Sequence, residues 1–515
     1  MNPTDEQKAV INSDLKSGDA LKVVAFAGTG KTATLAEYAK CHPMDQMLYA
    51  AFNKSVQVDA EQKFPKNVLA RTVHSLAYQS IGKTFQNLGN LQFFLITKAL
   101  SVDVYRATLI SRTIENWHNS ADPTIEEKHV PSDVLNRFEK GFEGKIVDAA
   151  EYIWRLMKEN DKFPMTHSGY LKLYQLGKPV LPYDTILLDE AQDSNPVTVD
   201  IVMRQRDNGA RVILVGDPYQ QIYEWRGAVD AMDMFDAPTL YLTRSFRFGP
   251  QVASVANKLL STFFQNTRPV VGHDIEDRIV EGHGEEARTI ICRTNSELFR
   301  AADGAASRGA NLAVVGIMKF ETFMDKIKDV YHLYKNQRQL IKERQTAYFK
   351  SFADLVKFAQ DRLDPDLSSR VNIVSDYKER IPEVLQRIRQ QSIGGEQSAN
   401  VLLVTGHSAK GLEWSNVSLA GDFAELFDDR RQPLKVGPDT VEKGEINLLY
   451  VAATRAKKAL QLNSELRYLM SWQPTVAKDH EVDDMTAMKQ VEEEFIEPDP
   501  DADMAMLDHL DEGDK

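Results

Sequence analysis

The chain of 515 residues has little cysteine, and its two cysteines are badly placed for structural chemistry. Cys41 and Cys292 are remote in sequence, and neither has a second Cys or a pair of His at metal-ligand spacing. A disulfide framework and a structural zinc are therefore excluded as organising devices. Long hydrophobic runs are missing as well: no stretch approaches the ~18 apolar residues needed to cross a bilayer. The opening MNPTDEQKAV lacks the basic and then apolar start of a secretory signal. These absences describe a soluble, cytoplasmic protein of a reducing compartment with no membrane partner. An excess of basic charge is also lacking. With 62 Lys+Arg against 75 Asp+Glu the formal charge is −13, which at face value disfavours a polyanionic partner. That deficit is local. Residues 477–515 hold fifteen Asp/Glu and three Lys, leaving 59 basic against 60 acidic residues in the rest.

What is present is ample core: 43% of residues are apolar, and at ~150 residues per domain the length suggests three or four domains. Short β-branched runs recur at 21–25, 46–52, 68–73, 185–189, 211–216 and 239–242, and again at 289–292, 311–315, 400–404, 416–420 and 459–462. Continuous apolar runs such as TILL, VILV and VLLV suit strands covered on both faces, and their alternation with helical periods predicts parallel sheets in an α/β fold. Eleven strands are too many for one sheet, so two are expected. The stretches 85–180 and 318–396 are helical in period and interrupt the two halves as insertions. Residues 319–350 carry eight Lys/Arg and four Asp/Glu; that face reads either as solvated helix or as a phosphate-facing surface. Beyond 476 the pattern forms no core and reads as disordered.

The strand ending at Ala25 runs into Phe26-Ala27-Gly28-Thr29-Gly30-Lys31-Thr32 and then a helical segment. This is the strand, loop and helix context of a phosphate-binding P-loop. Glycines let backbone N–H groups converge on phosphate, Lys31 neutralises it, and the Thr32 hydroxyl suits Mg²⁺. A second buried run ends in Asp189 and Glu190, continuing as DEAQD. Asp189 can hold Mg²⁺ through water, and Glu190 can polarise an attacking water. ATP and Mg²⁺ are the expected cofactors.

With these motifs in place, the sequence resembles superfamily 1 DNA helicases of the UvrD/Rep type, and most closely the helicase part of F-box DNA helicases, without an F-box. The resemblance rests on an ordered motif series from Gln7 to about Ala459. It implies two RecA-like domains: 1A (1–85 and 181–246), carrying helical insertion 1B (86–180), and 2A (247–317 and 397–476), carrying a short insertion 2B (318–396). An acidic tail (477–515) follows. The implied activity is ATP-dependent 3′ to 5′ translocation along single-stranded DNA and unwinding of 3′-tailed duplex by a monomer, in replication, repair or recombination.

The resemblance also assigns roles. Gln7 in PTDEQKAVI reads the adenine edge; Phe246 in TRSFRF stacks on adenine, and Arg247 and Arg455 reach the γ-phosphate, where a planar fork that stays charged is apt. Gln220 in VGDPYQQIYEWRGA senses the γ-phosphate, and Glu413 in TGHSAKGLEW takes the ribose hydroxyl. DNA contacts are implied for Phe52, Asn53, Lys54, Thr72, His74, Ser75, Tyr223, Trp225, Arg226, Arg293 and His407, with HSGYLKLYQL a further candidate. For Tyr223 and Trp225 a core aromatic pair is the alternative, and for His74 a buried hydrogen bond. Ala33 stands where many relatives place an Arg over adenine.

Three other functions compete. The same motor could chiefly strip proteins such as recombinase from single strands. Ser375-Asp376-Tyr377-Lys378 is similar to a nuclease step but lacks a preceding carboxylate cluster. A non-hydrolysing ATP switch conflicts with the presence of Glu190, Arg247 and Arg455. The tail is open between a solvating extension, a DNA mimic and a docking segment for a protein partner.

Overall fold

The computed structural model describes residues 2–131, 141–159, 162–224, 227, 229–266, 268–280, 289–360, 364–392, 396, 398–437 and 439–473. Trp225, Arg226 and the acidic tail, all singled out above, lie outside the described residues. The described residues up to Met470 form one compact unit, which holds the fold that follows.

Twelve described strands make two six-stranded sheets in which all neighbours are parallel. The first contains β1 (Ala20–Ala25), β2 (Met47–Ala51), β3 (Val68–Thr72), β4 (Thr185–Leu188), β5 (Arg211–Gly216) and β6 (Thr239–Leu242), in the order β3-β2-β4-β5-β1-β6. The second contains β7 (Arg278–Val280), β8 (Thr289–Cys292), β9 (Leu312–Val314), β10 (Val401–Thr405), β11 (Trp414–Leu419) and β12 (Ala456–Gln461), in the order β7-β12-β11-β8-β10-β9. This is the expected α/β architecture. TILL of β4 is buried throughout and VILVG of β5 likewise, because helices cover both faces. One strand was not anticipated. β7 has three residues, an exposed Arg first, and is too short and too polar for a period-2 signal; it pairs only with β12, at the sheet edge.

In both halves a helical stretch follows the third strand. Between β3 and β4 run helices including Phe93–Leu100, Val104–Asn119, Phe142–Glu159 and His167–Leu176; between β9 and β10 run Ile317–Tyr334, Phe352–Gln360, Pro365–Tyr377 and Ile381–Gln391. Local sequence sets their starts: Asp103, Thr166 and Asp364 each cap the next helix by accepting a backbone N–H. The two stretches meet on an aromatic seam. The Phe93 ring lies 5.2 Å from Tyr348 and 6.2 Å from Phe358, and Tyr105 is 5.6 Å from Phe358. Edge-on and tilted rings at these distances add to the burial that holds the stretches together.

The crossovers leave the carboxyl ends of the strands on one edge of each sheet. That edge is where open α/β sheets bind ligands, and the motifs of the first section gather there.

Candidate active site

The loop after β1 is a phosphate cradle by backbone geometry. Gly28 and Gly30 take φ +78° and +79°, which side-chain-bearing residues avoid. A Cβ on Gly28 would sit 2.4 Å from Ser245 Oγ and 2.7 Å from Arg247 Cβ, so the segment after β6 closes directly over the loop. Phe246 N–H donates to Gly28 O at 2.8 Å. Gln7 is fixed by a reciprocal capping box with Thr4, and its Nε2 donates to Thr29 O at 3.3 Å. Gln7 and the Phe246 ring thus flank Gly30, with the ring 41% exposed and open to a partner. Thr29 is buried and its hydroxyl donates to Phe26 O at 2.8 Å. Ala27 departs from its expected use: its N–H donates to Tyr450 Oη at 3.2 Å rather than facing the cradle.

Lys31 Nζ donates to Glu190 Oε1 at 2.9 Å. Burial opposes charging of this ammonium, but Glu190, Asp189 and Asp217 outweigh it and hold its pKa above the usual lysine value. Glu190 sits at φ +51°, an uncommon conformation for a residue with a side chain, which turns the carboxylate back towards the P-loop. Burial would raise its pKa; Lys31 and Lys410 reverse that and hold it well below the carboxylate range. Asp189 is buried, accepts from Tyr49 Oη through one oxygen and from Glu190 N–H at 2.9 Å through the other, and is pushed up by burial and by Glu190. The Thr32 hydroxyl also lies beside the Tyr49 phenol. Two hard oxygen ligands, Thr32 and Asp189, therefore meet at one phenol. A divalent cation would offset the burial and the neighbouring carboxylate that disfavour charge on Asp189, so this donor set fits Mg²⁺.

The second half supplies the arginines. Arg247 Nε donates to Glu413 Oε2 at 2.8 Å and Nη1 to Thr454 O at 3.2 Å. Glu413 also holds Lys457 at 3.4 Å, so the residue expected at the ribose here orients Arg247. Arg455 is 1% exposed; it donates to Val451 O at 2.8 Å and to Gln220 Oε1 at 3.2 Å. Gln220 Nε2 in turn donates to Asp217 Oδ2 at 2.6 Å. Lys31, Glu190, Gln220, Arg247 and Arg455 are thus arranged about one cleft.

Beside it lies an aromatic group. Phe52, just after β2, stacks on Tyr223 with ring centroids 5.6 Å apart. Tyr223 Oη donates to His407 O at 3.3 Å, and the two rings are 6.0 Å apart. Lys410 Nζ lies 5.8 Å from the Phe52 ring and 5.6 Å from the Tyr223 ring. The same nitrogen is 3.4 Å from Glu190 Oε2, bonds Asp193, and donates to Gln220 O at 2.8 Å. Burial lowers its pKa to about 8.

Other expected DNA residues are locally employed. Asn53 and Thr72 cap the helices Lys54–Lys63 and Val73–Ser80, and Ser75 Oγ donates to Thr72 O at 2.7 Å. Lys54 is exposed. The His74 ring is edge-on to Tyr170 at 6.4 Å and, like Lys54, is exposed. Arg293 is held by Glu445 through bonds of 2.7 and 2.5 Å, and a phosphate contact requires that pair to open. Lys172 of HSGYLKLYQL is buried and donates to Ser120 O at 2.8 Å and Asp122 O at 2.5 Å, which ties it to the fold rather than to a ligand surface. Asp376 pairs with Arg300 at 2.7 Å, and among the described residues no cluster of three acids or His could hold a metal.

Sequence reasoning assigned no role to Lys410, Tyr450, Asp217, Asp193 or Tyr49. Lys410 and Asp193 stood inside recognised strings, but a Lys in a loop reads as solvated. Tyr49 and Tyr450 stood in apolar runs, where nothing marks a hydroxyl for a task. Asp217 carried the signal of a turn cap, which it also is, accepting from Tyr219 N–H at 3.1 Å.

Two family models match the chain: the UvrD/REP helicase N-terminal domain over residues 180–235 and the UvrD-like helicase C-terminal domain over residues 241–466. The chain belongs to the UvrD-like helicase family. It is 37% identical over 516 residues to F-box DNA helicase 1 of Gallus gallus, covering 91% of this chain and 50% of that protein. It is 31% identical over 520 residues to F-box DNA helicase protein 1 of Schizosaccharomyces pombe, covering 90% and 58%. To the ATP-dependent DNA helicase Rep of Salmonella typhimurium it is 23% identical over 346 residues, covering 60% and 48%. The chain spans about half the length of these relatives. Among the described residues no helix is long and apolar enough to cross a membrane.

Proposed function

We propose that this chain is an ATP-dependent, single-stranded-DNA-stimulated translocase and 3′ to 5′ DNA helicase that uses Mg²⁺ and acts in replication, repair or recombination. Its motor is a pair of RecA-like domains, 1–85 with 181–246 and 247–317 with 397–476, clamping nucleotide between them. The observation that carries this reading is Lys410: one buried ammonium touches both the Glu190 carboxylate and the Phe52–Tyr223 rings. Aromatic faces stack bases without reading sequence, and Lys410 passes their occupancy to the group that activates water. Membership of the helicase family and the names of the two F-box DNA helicases agree with it.

The residues divide the chemistry as follows. Gln7 and Phe246 hold the base. Lys31 holds the phosphates, and to do so it must leave Glu190. That departure removes the nearest cation from Glu190 and raises its basicity, so the carboxylate can orient and deprotonate water only once the P-loop is filled. Thr32 and Asp189 would hold Mg²⁺, which would supply charge neutralisation at the phosphates. Arg247 and Arg455 stabilise charge on the leaving side; losing either should slow turnover by ~10³-fold or more. Phe52, Tyr223 and His407 form the track, together with Lys54.

Strand displacement on 3′-tailed, 5′-tailed and RNA-tailed duplexes tests this reading. ATP-dependent release from the 3′-tailed DNA substrate is expected. Release from the 5′-tailed substrate alone would overturn the polarity, and hydrolysis without displacement of any duplex would leave a translocase that is not a helicase.

A further inference from the structure

The helix Lys443–Ala453, which leads into Arg455, is buried along nearly its whole length and carries two polar side chains one turn apart, Asn447 and Tyr450. Both reach across to the turn after β5. Asn447 Nδ2 donates to Gln221 O at 2.8 Å. Tyr450 Oη accepts from Ala27 N–H of the P-loop at 3.2 Å and lies 3.1 Å from Asp217 Oδ2. The Tyr450 ring packs edge-on to Tyr219 at 6.3 Å, so its ring is held independently of its hydroxyl.

The direction of every proton in this network is fixed by its ends. Ala27 N–H can only donate, so the Tyr450 hydroxyl must turn its own proton to Asp217. Arg455 can only donate, so Gln220 presents its oxygen to Arg455 and its NH₂ to Asp217. Two donor chains, one from the P-loop and one from the arginine, converge on a single acceptor. Both end on Asp217 Oδ2, while Oδ1 accepts from Tyr219 N–H, and an ionised carboxylate serves all three donors. Burial raises the Asp217 pKa to about 6, which leaves it charged at neutral pH, while burial and Asp217 hold the Tyr450 phenol protonated.

We propose that Tyr450 is a positioning residue for nucleotide hydrolysis, its hydroxyl tying the P-loop backbone at Ala27 to the Asp217–Gln220–Arg455 chain so that the arginine and the phosphate cradle keep a fixed mutual position. The hydroxyl links the P-loop backbone to the helix that leads into Arg455, and it does so through an amide of the phosphate-binding loop itself. A phenol needed only for packing would not require an acceptor aligned on one side and a donor on the other. The inference rests on the proposed ATPase.

Tyr450→Phe removes the hydroxyl and keeps the ring. In the full chain with saturating single-stranded DNA, kcat for ATP hydrolysis is expected to fall about tenfold or more, as for loss of a hydrogen bond to a buried charge. KM for ATP should stay within about threefold, because Gln7, Phe246 and Lys31 are untouched. Asp217→Asn removes the charge on which both donor chains end and sets an NH₂ against the Tyr219 N–H, and should show the same split. The double variant should be no slower than Asp217→Asn alone. A kcat for Tyr450→Phe equal to wild type, or losses that multiply in the double variant, would overturn the proposal. Should Tyr450→Phe not fold, Asp217→Asn carries the test, and an unchanged kcat there overturns it equally. A wild-type chain that hydrolyses no ATP would instead refute the ATPase reading itself.

Discussion

Lys410→Met replaces a buried ammonium with a side chain of similar length and no charge. In the native cleft the nitrogen bonds Asp193, whose side chain is 0% exposed, and lies 3.4 Å from Glu190 Oε2, itself 17% exposed. A surface pair lost in this way would cost under ~1 kcal/mol. Breaking a buried pair leaves an uncompensated charge and costs about 3–5 kcal/mol, and the burial of Asp193 selects the larger figure. Denaturant unfolding of Lys410→Met should therefore show a loss of about 3–5 kcal/mol in the transition that reports the nucleotide-binding half. Adding Asp193→Asn removes the stranded charge and should restore most of that loss. Hydrolysis behaves differently. In both the single and the double variant, ATP turnover should lose its response to single-stranded DNA, because the ammonium that joins the Phe52 and Tyr223 rings to Glu190 is gone in each. A stability change below about 1 kcal/mol, or a DNA response retained in Lys410→Met, would refute the reasoning.

Other consequences follow from the same geometry. Lys31→Ala should abolish ATP hydrolysis and leave the circular dichroism spectrum unchanged, since the side chain serves phosphate and Glu190 rather than the core; residual turnover above a tenth of wild type would contradict this. Phe93→Ala removes the ring at the centre of the aromatic seam and should cost about 3–5 kcal/mol of stability, with the thermal midpoint as the check. In pH, burial raises Asp217 to about 6 and lowers Lys410 to about 8. Activity needs Asp217 ionised and Lys410 charged, so kcat/KM for ATP should follow a bell with limbs near those values. Lys410→Met should abolish the alkaline limb. Stability runs the other way at the acid end: a carboxyl whose folded pKa is raised stabilises the fold below the ordinary value of 3.8 and loses that contribution as pH rises through about 6. Neutral pH thus favours the active cleft at some cost in stability.

The legible parts of this chain were those written in local backbone chemistry. The P-loop combines a strand, two positive-φ glycines and a helix within a dozen residues, and DEAQD ends a strand buried on both faces, so both could be read without a partner. The parallel sheets were legible because continuous apolar runs have few other uses. What escaped depends on residues far apart in sequence. Lys410 finds Asp193 across 217 positions and Tyr450 finds Ala27 across 423, and neither partner leaves a trace near the other. Ala27 looked like a phosphate ligand because its loop position is right, yet a tyrosine from the second half takes its N–H. Arg293 looked like a phosphate contact, but Glu445 meets it from a helix that sequence alone does not bring near. β7 was too short to carry a period.

The central claim is that one cleft hydrolyses ATP under the control of a neighbouring single-strand track. Steady-state ATP hydrolysis by the purified full chain, with Mg²⁺ and with or without a single-stranded oligonucleotide, tests it most directly, with Glu190→Gln as the control. The account predicts turnover that rises sharply with the oligonucleotide and vanishes in Glu190→Gln. Turnover indifferent to DNA, or turnover that survives Glu190→Gln, would contradict it.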